Sequence, residues 1–94
     1  MVRPGPEVLP PQVAAIANSG GRIGLLGGSF NPAHEAHRHI SLVALRRLKL
    51  DAVWWLVSPQ NPLKSEAGMA PLAKRLERAR EVAQHPNIFA SAIE

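Results

Sequence analysis

Two histidines three residues apart, His34 and His37, close the stretch Gly27-Gly28-Ser29-Phe30-Asn31-Pro32-Ala33-His34-Glu35-Ala36-His37. A short apolar run precedes it and an amphipathic pattern follows, so the glycines fall at a strand end and the histidines in a helix's opening turn. Backbone N–H groups lack intrahelical partners there and the helix dipole is positive, so an anion such as phosphate fits. A spacing of three sets both imidazoles on one helix face. A polyphosphate can then be held from two sides, by backbone donors and by imidazoles. Gly27 and Gly28 let the backbone pass close to a ligand, or simply serve a tight strand-to-helix turn. Asn31 either caps that turn or bonds ligand. Arg38 and His39 point to other sides of the helix and are read as incidental. The cluster His34, Glu35, His37 and His39 matches none of the usual zinc spacings.

These residues need a frame to hold them. Ile23 to Leu26 is apolar without alternation and bounded by glycine, as a strand buried on both faces would be. The helix after Pro32 places Ile40, Val43, Ala44 and Leu48 at spacings of three and four, which predicts one buried face. Asp51 to Val57 is β-branched and aromatic and predicts a second strand. Trp54 and Trp55 alternate across it, so at least one is core packing rather than a base-stacking platform. Ser58 to Ala70 is a loop. Pro71 opens a second helix with Leu72, Leu76, Ala79 and Ala83 on one face, and His85-Pro86 ends it. Ile88 to Ile93 predicts a third strand. The order strand–helix–strand–helix–strand is a mononucleotide-binding half of a doubly wound α/β fold with parallel strands and right-handed crossovers. Its ligand crevice lies beyond the C-terminal strand ends, where Gly27 to His37 and Ser58 to Lys64 converge.

The chain has 94 residues, nearly half of them apolar, so one small domain with a real core is expected. Met1 to Gln12 carries Pro4, Pro6, Pro10 and Pro11, and Asn18-Ser19-Gly20-Gly21 breaks the chain after a helical turn at Val13 to Ala17. Residues 1–21 are therefore read as a flexible tail and 22–94 as the domain. The absence of cysteine excludes disulfides and cysteine-ligated metal sites. A net charge of +4 suits a polyanion. Yet Arg46, Arg47 and Lys49 cluster where cations complement a helix C-terminus, and Lys74, Arg75, Arg78 and Arg80 lie beside Glu77 and Glu81 on a face read as solvated. Nucleic acid is not expected as a partner. No apolar run approaches the roughly 20 residues that span a bilayer, and no secretory pattern opens the chain. A soluble, cytoplasmic protein is the expectation. Neither the Gly-x-Gly-x-x-Gly fingerprint nor a Walker lysine motif is present.

The Gly27 to His37 stretch resembles the nucleotidylyltransferase signature, in which a strand leads into Gly-Gly-x-Phe-(Asp or Asn)-Pro-x-His-x-Gly-His. The run Trp54-Trp55-Leu56-Val57-Ser58-Pro59-Gln60-Asn61-Pro62-Leu63-Lys64 is similar to the second strand and following loop of the bacterial nicotinate-nucleotide adenylyltransferases. The resemblance covers Arg22 to Glu94. It implies a Rossmann-like nucleotidylyltransferase fold cut to its N-terminal β-α-β-α-β half, because members of that family are about twice this length, still one ordinary domain. The second phosphate-binding motif of the relatives and most of their nicotinate pocket fall in the other half.

The implied reaction moves AMP from ATP to nicotinate mononucleotide, giving nicotinate adenine dinucleotide and pyrophosphate, with Mg²⁺ carried on the ATP phosphates. His34 and His37 are implied to be catalytic. Gly27, Gly28, Ser29 and Phe30 join them in holding ATP, and Asn31 and Lys64 meet substrate. Position 36 departs from the pattern, with Ala where the family has Gly. Two further readings stand beside this one: a related adenylyl- or cytidylyltransferase such as the phosphopantetheine enzyme, and a non-catalytic nucleotide-binding or self-associating fragment. A homo-oligomer through an exposed sheet edge is expected from the cut sheet.

Overall fold

β-branched and aromatic residues concentrate in the middle of the chain, and there the sheet forms. The computed structural model describes residues 9–58 and 70–92. Strands β1 (Ile23–Gly28), β2 (Ala52–Val57) and β3 (Ile88–Ala92) alternate with helices α1 (Pro11–Asn18), α2 (Glu35–Arg47) and α3 (Leu72–Ala83), α1 preceding β1. The sheet order is β1-β2-β3 and both pairings are parallel. Leu26 sits opposite Trp55 and Trp55 opposite Ala90, while Val57 lies between Gly28 and Ala92. This is a truncated Rossmann-like arrangement, as the order of elements predicted. β1 extends two residues beyond the expected strand and takes in Gly27 and Gly28. For β3, the described strand stops at Ala92 and Ile93 lies outside the described residues.

The core lies on the face formed by Val53, Trp55 and Val57, which alternate along β2. Ala79, Val82 and Ala83 of α3 pack there with Ile88, Ala90 and Ala92 of β3. Leu72 and Leu76 sit at its margin, so the predicted face of α3 is the one that packs. Small residues let that helix lie close over the sheet. Trp54, on the opposite face, is half-buried, and its indole N–H donates to Ser91 Oγ at 2.8 Å.

Three expectations need correction. In α2, Ile40, Val43 and Leu48 are exposed, and the core-facing stripe is Ser41, Leu42 and Leu45. The helix carries two apolar stripes, and the one that opens with Ser41 packs because a buried indole needs that hydroxyl. Arg75 is not on a solvated face but is 2 % exposed. The third correction concerns residues 11–18: the helical turn expected at Val13 to Ala17 is a longer helix that starts at Pro11, and Val13 is buried, so this part of the segment read as a flexible tail is packed. Pro11 at the first helical position suits that helix start. Residues 1–8 lie outside the described residues, and so does 59–69, which includes Lys64. Among the described residues, no helix is long and apolar enough to cross a membrane.

Trp55 is fully buried and its indole N–H donates to Ser41 Oγ at 2.7 Å. The same hydroxyl donates to the His37 carbonyl at 2.8 Å. Replacing Ser41 by Ala leaves a buried indole N–H without an acceptor, a loss of about 1–3 kcal/mol. Urea unfolding of the Ser41→Ala protein should show a midpoint lowered accordingly with an unchanged slope. An unchanged midpoint would mean that water reaches the indole.

Candidate functional site

The C-terminal end of β1 leads directly into the loop singled out by its composition. The Gly28 carbonyl accepts from the Ser58 N–H at 2.8 Å, which ties this loop to the end of β2. At Phe30 the chain enters the left-handed region, with φ +49°. A non-glycine residue there costs roughly 1–2 kcal/mol, which burial of the ring offsets. That ring stacks on Trp55 with centroids 5.3 Å apart and tilts against the His37 imidazole at 4.7 Å. A cis Asn31–Pro32 bond follows, then the buried Ala33, and α2 begins with His34 as its N-cap. Asn31 Oδ1 accepts from the Ala70 N–H at 3.1 Å, joining the loop to the entry of α3.

His34 and His37 meet as their spacing predicts, with ring centroids 4.1 Å apart. Each holds the other's backbone. His34 Nδ1 accepts from the Ala36 N–H at 3.3 Å, and His37 Nδ1 accepts from the His34 N–H at 3.1 Å. A neutral imidazole that accepts at Nδ1 carries its proton on Nε2. These hydrogen bonds therefore assign both neutral imidazoles the same tautomer, with Nε2–H a donor that has no acceptor among the described residues. The first-turn amides are less open than expected: the Ala36 N–H goes to His34 and the His37 N–H to the His34 carbonyl at 3.0 Å. Imidazole donors stand in for the amides they cap. Burial, with a lesser contribution from the nearby His34, holds the His37 pKa below its ordinary 6.5. His39 is exposed and Arg38 half-buried.

Neither glycine at the end of β1 is explained by the fold. Among the described residues, a Cβ at Gly27 would meet no atom within 4 Å, and one at Gly28 would make ordinary contact with the Phe30 ring at 3.7 Å. Neither has the positive φ that demands glycine. The tight-turn explanation thus loses its support, while an open approach to the strand end remains. Ala36 is exposed on the first turn of α2. Two residues that reading by type passed over hold this region together. Ser41 links the first turn of α2 to Trp55, and Arg75 donates to the carbonyls of Ser29, Ser58 and Ala70, each at 2.8 Å. Both had a signal in the sequence, because each is the polar member of an otherwise apolar helical stripe.

Among the described residues, no group of three or more His, Cys, Asp or Glu side chains gathers to hold a metal ion. The site offers nitrogen donors beside a strand end, which is what a polyanion needs.

The profile of the cytidylyltransferase-like family matches residues 25–94, from within β1 onward. The chain belongs to this family. Among curated relatives, a probable nicotinate-nucleotide adenylyltransferase of Parvibaculum lavamentivorans is 62 % identical over 73 residues, which is 78 % of this chain and 36 % of the relative. One of Bradyrhizobium sp. (strain ORS 278) is 63 % identical over 73 residues, 78 % of this chain and 38 % of the relative. Another, of Roseobacter denitrificans, is 54 % identical over 78 residues, 83 % of this chain and 39 % of the relative. The chain spans well under half the length of these family members. Its resemblance to the nicotinate-nucleotide adenylyltransferases, drawn from two motifs, agrees with them.

The lowered pKa of His37 has a signed consequence. The unfolded chain binds this proton more tightly than the folded one, so stability is complete above pH 6.5 and declines as pH falls from there to the folded pKa, then levels off. An NMR titration should place the His37 Cε1–Hε1 midpoint below 6.5. A midpoint at or above that value would mean that the ring is more solvated than its packing on Phe30 implies.

Proposed function

We propose that this chain is the ATP-phosphate-holding part of an adenylyltransferase that transfers AMP from ATP to nicotinate mononucleotide, giving nicotinate adenine dinucleotide and pyrophosphate. The observation that carries the reading is the pair of imidazoles fixed in one tautomer at the start of α2, their Nε2–H donors without an acceptor among the described residues, in the segment that follows two glycines at the end of β1. The names of the relatives supply the substrates.

The attacking phosphate of nicotinate mononucleotide is already an anion and requires no strong base. Catalysis then rests on aligning two negatively charged reactants and stabilising charge on the phosphoryl oxygens. His34 and His37 donate Nε2–H bonds to the triphosphate. Gly27 and Gly28 let it lie against the backbone, and Ser29 and Phe30 offer loop amides. Asn31 and Lys64 complete the reading as substrate contacts. Mg²⁺ prefers oxygen ligands, whereas the donors assembled here are N–H groups, so the residues fit a metal carried by the nucleotide's phosphates. When bound, it would screen the charge that the two reactants bring together.

The test is an ATP titration of the labelled chain with and without Mg²⁺. His34 and His37 signals should move together and saturate in the millimolar range, and the His37 midpoint should rise in the complex because the anion favours the imidazolium. Gly27→Val should weaken ATP binding at least tenfold while its melting temperature stays within a few degrees, since the new side chain enters open space. Unmoved histidine signals at saturating ATP would sink the reading.

Self-association is the second reading, favoured by one specific observation. Among the described residues β1 is paired on one side only, and Leu25, Ile40 and Leu48 are exposed beside it. An apolar open edge is a template for pairing. Sedimentation should show mass rising with concentration, and Leu25→Lys should shift the distribution toward monomer. A concentration-independent monomer would remove this reading.

A further inference from the structure

Arg75 lies on the apolar stripe of α3, one turn after Leu72 and one turn before Ala79, and is 2 % exposed. Burying a guanidinium is costly unless its donors are satisfied. Here Nε donates to the Ala70 carbonyl, and both hydrogens of Nη1 are used, one on the Ser29 carbonyl and one on the Ser58 carbonyl. Among the described residues, no carboxylate lies within 4.0 Å of it; the ion pair that α3 does show is Arg78 with Glu81 at the surface. Three carbonyls from three separate segments therefore converge on one side chain: the loop after β1, the end of β2 and the approach to α3.

The peptide plane adds direction. In a trans peptide the N–H of one residue points opposite to the carbonyl of the residue before it. The Ser29 carbonyl is drawn to Arg75, so the Phe30 N–H points away from it, and it has no acceptor among the described residues.

We infer that Arg75 is a positioning residue for phosphate binding, one that locks the loop after β1 to the end of β2 and the start of α3 and so turns the Phe30 N–H outward as a phosphate donor. The inference rests on the phosphate-holding reading given above. It adds a residue on an element that the glycine–histidine motif does not include. A lysine cannot take over: it keeps the charge, but its three donors radiate from one nitrogen and cannot reproduce a fork that spans three carbonyls.

The experiment compares the wild-type chain with Arg75→Lys and Arg75→Met by amide hydrogen exchange and by ATP titration. The Ser58 N–H bonds the Gly28 carbonyl and the Ala70 N–H bonds Asn31 Oδ1, so both report whether the loops stay tied. In Arg75→Lys these two amides should exchange at least tenfold faster, while Trp54 and Trp55 amides change less than twofold. ATP affinity should fall about tenfold, and the Phe30 amide shift induced by ATP should be lost. Arg75→Met should show the same pattern or a stronger one. Protection lost uniformly, Trp55 included, would reduce Arg75 to general stability and overturn the inference. Loops that stay protected in Arg75→Lys, or ATP affinity unchanged after they are released, would overturn it as well. Failure of the wild-type chain to bind ATP would instead strike the phosphate-holding reading, and the exchange pattern would still decide whether Arg75 locks the loops.

Discussion

A buried indole must place its N–H, and that requirement organises the half of this molecule around α2. Trp55 lies in the central strand with no exposure, and its acceptor is the hydroxyl of Ser41. Ser41 in turn donates to the His37 carbonyl. A hydrogen bond that the core needs thus fixes the rotation of α2 about its axis, and with it the face on which His34 and His37 stand. The same tryptophan supplies the surface on which the Phe30 ring stacks, which makes the left-handed turn at Phe30 tolerable. Fold and site share these atoms. Any change that re-seats Trp55 moves both.

The other half is organised by a charge. Arg75 joins α3 to the loop after β1 and to the end of β2, and Asn31 adds a bond from that loop to Ala70. Loops at strand ends lose the ladder that orders the strands, so their carbonyls need other donors. One guanidinium supplies three such donors at once.

The parts of the molecule that follow from periodicity were readable in the residues. Three strands, the two later helices and the face of α3 with Leu72, Leu76 and Ala79 lie where spacing put them. The meeting of His34 with His37 follows from a helical spacing of three. What spacing could not rank was the choice between two apolar stripes on α2. Hydrophobicity favoured Ile40, Val43, Ala44 and Leu48. The stripe that packs contains Ser41, because satisfying an indole N–H outweighs one more aliphatic contact. Arg75 was misplaced for a related reason: neighbouring charges on α3 suggested solvent, although its position one turn after Leu72 and one turn before Ala79 marked the core. In both cases a polar residue on an apolar stripe was the signal. Helix α1 was readable as a turn at Val13 to Ala17, but its start was masked by the prolines, one of which in fact opens it.

The stripe on α2 that does not face the core is not idle surface. Ile40, Ala44 and Leu48 line a shallow apolar cavity of about 180 Å³ with Leu25 and Leu26 of β1 and with Leu50. It runs along the side of β1 that carries no pairing among the described residues. Such a strand and helix together offer unpaired backbone groups and apolar side chains to the same neighbour. The stretch matched in this chain makes up 36 % and 38 % of two of its curated relatives. A polypeptide seated along β1 would bury this stripe and pair the open edge. The strand that ends in Gly27 and Gly28 is also the strand with an unpaired edge among the described residues, so one element carries both the glycine turn and the edge that needs covering.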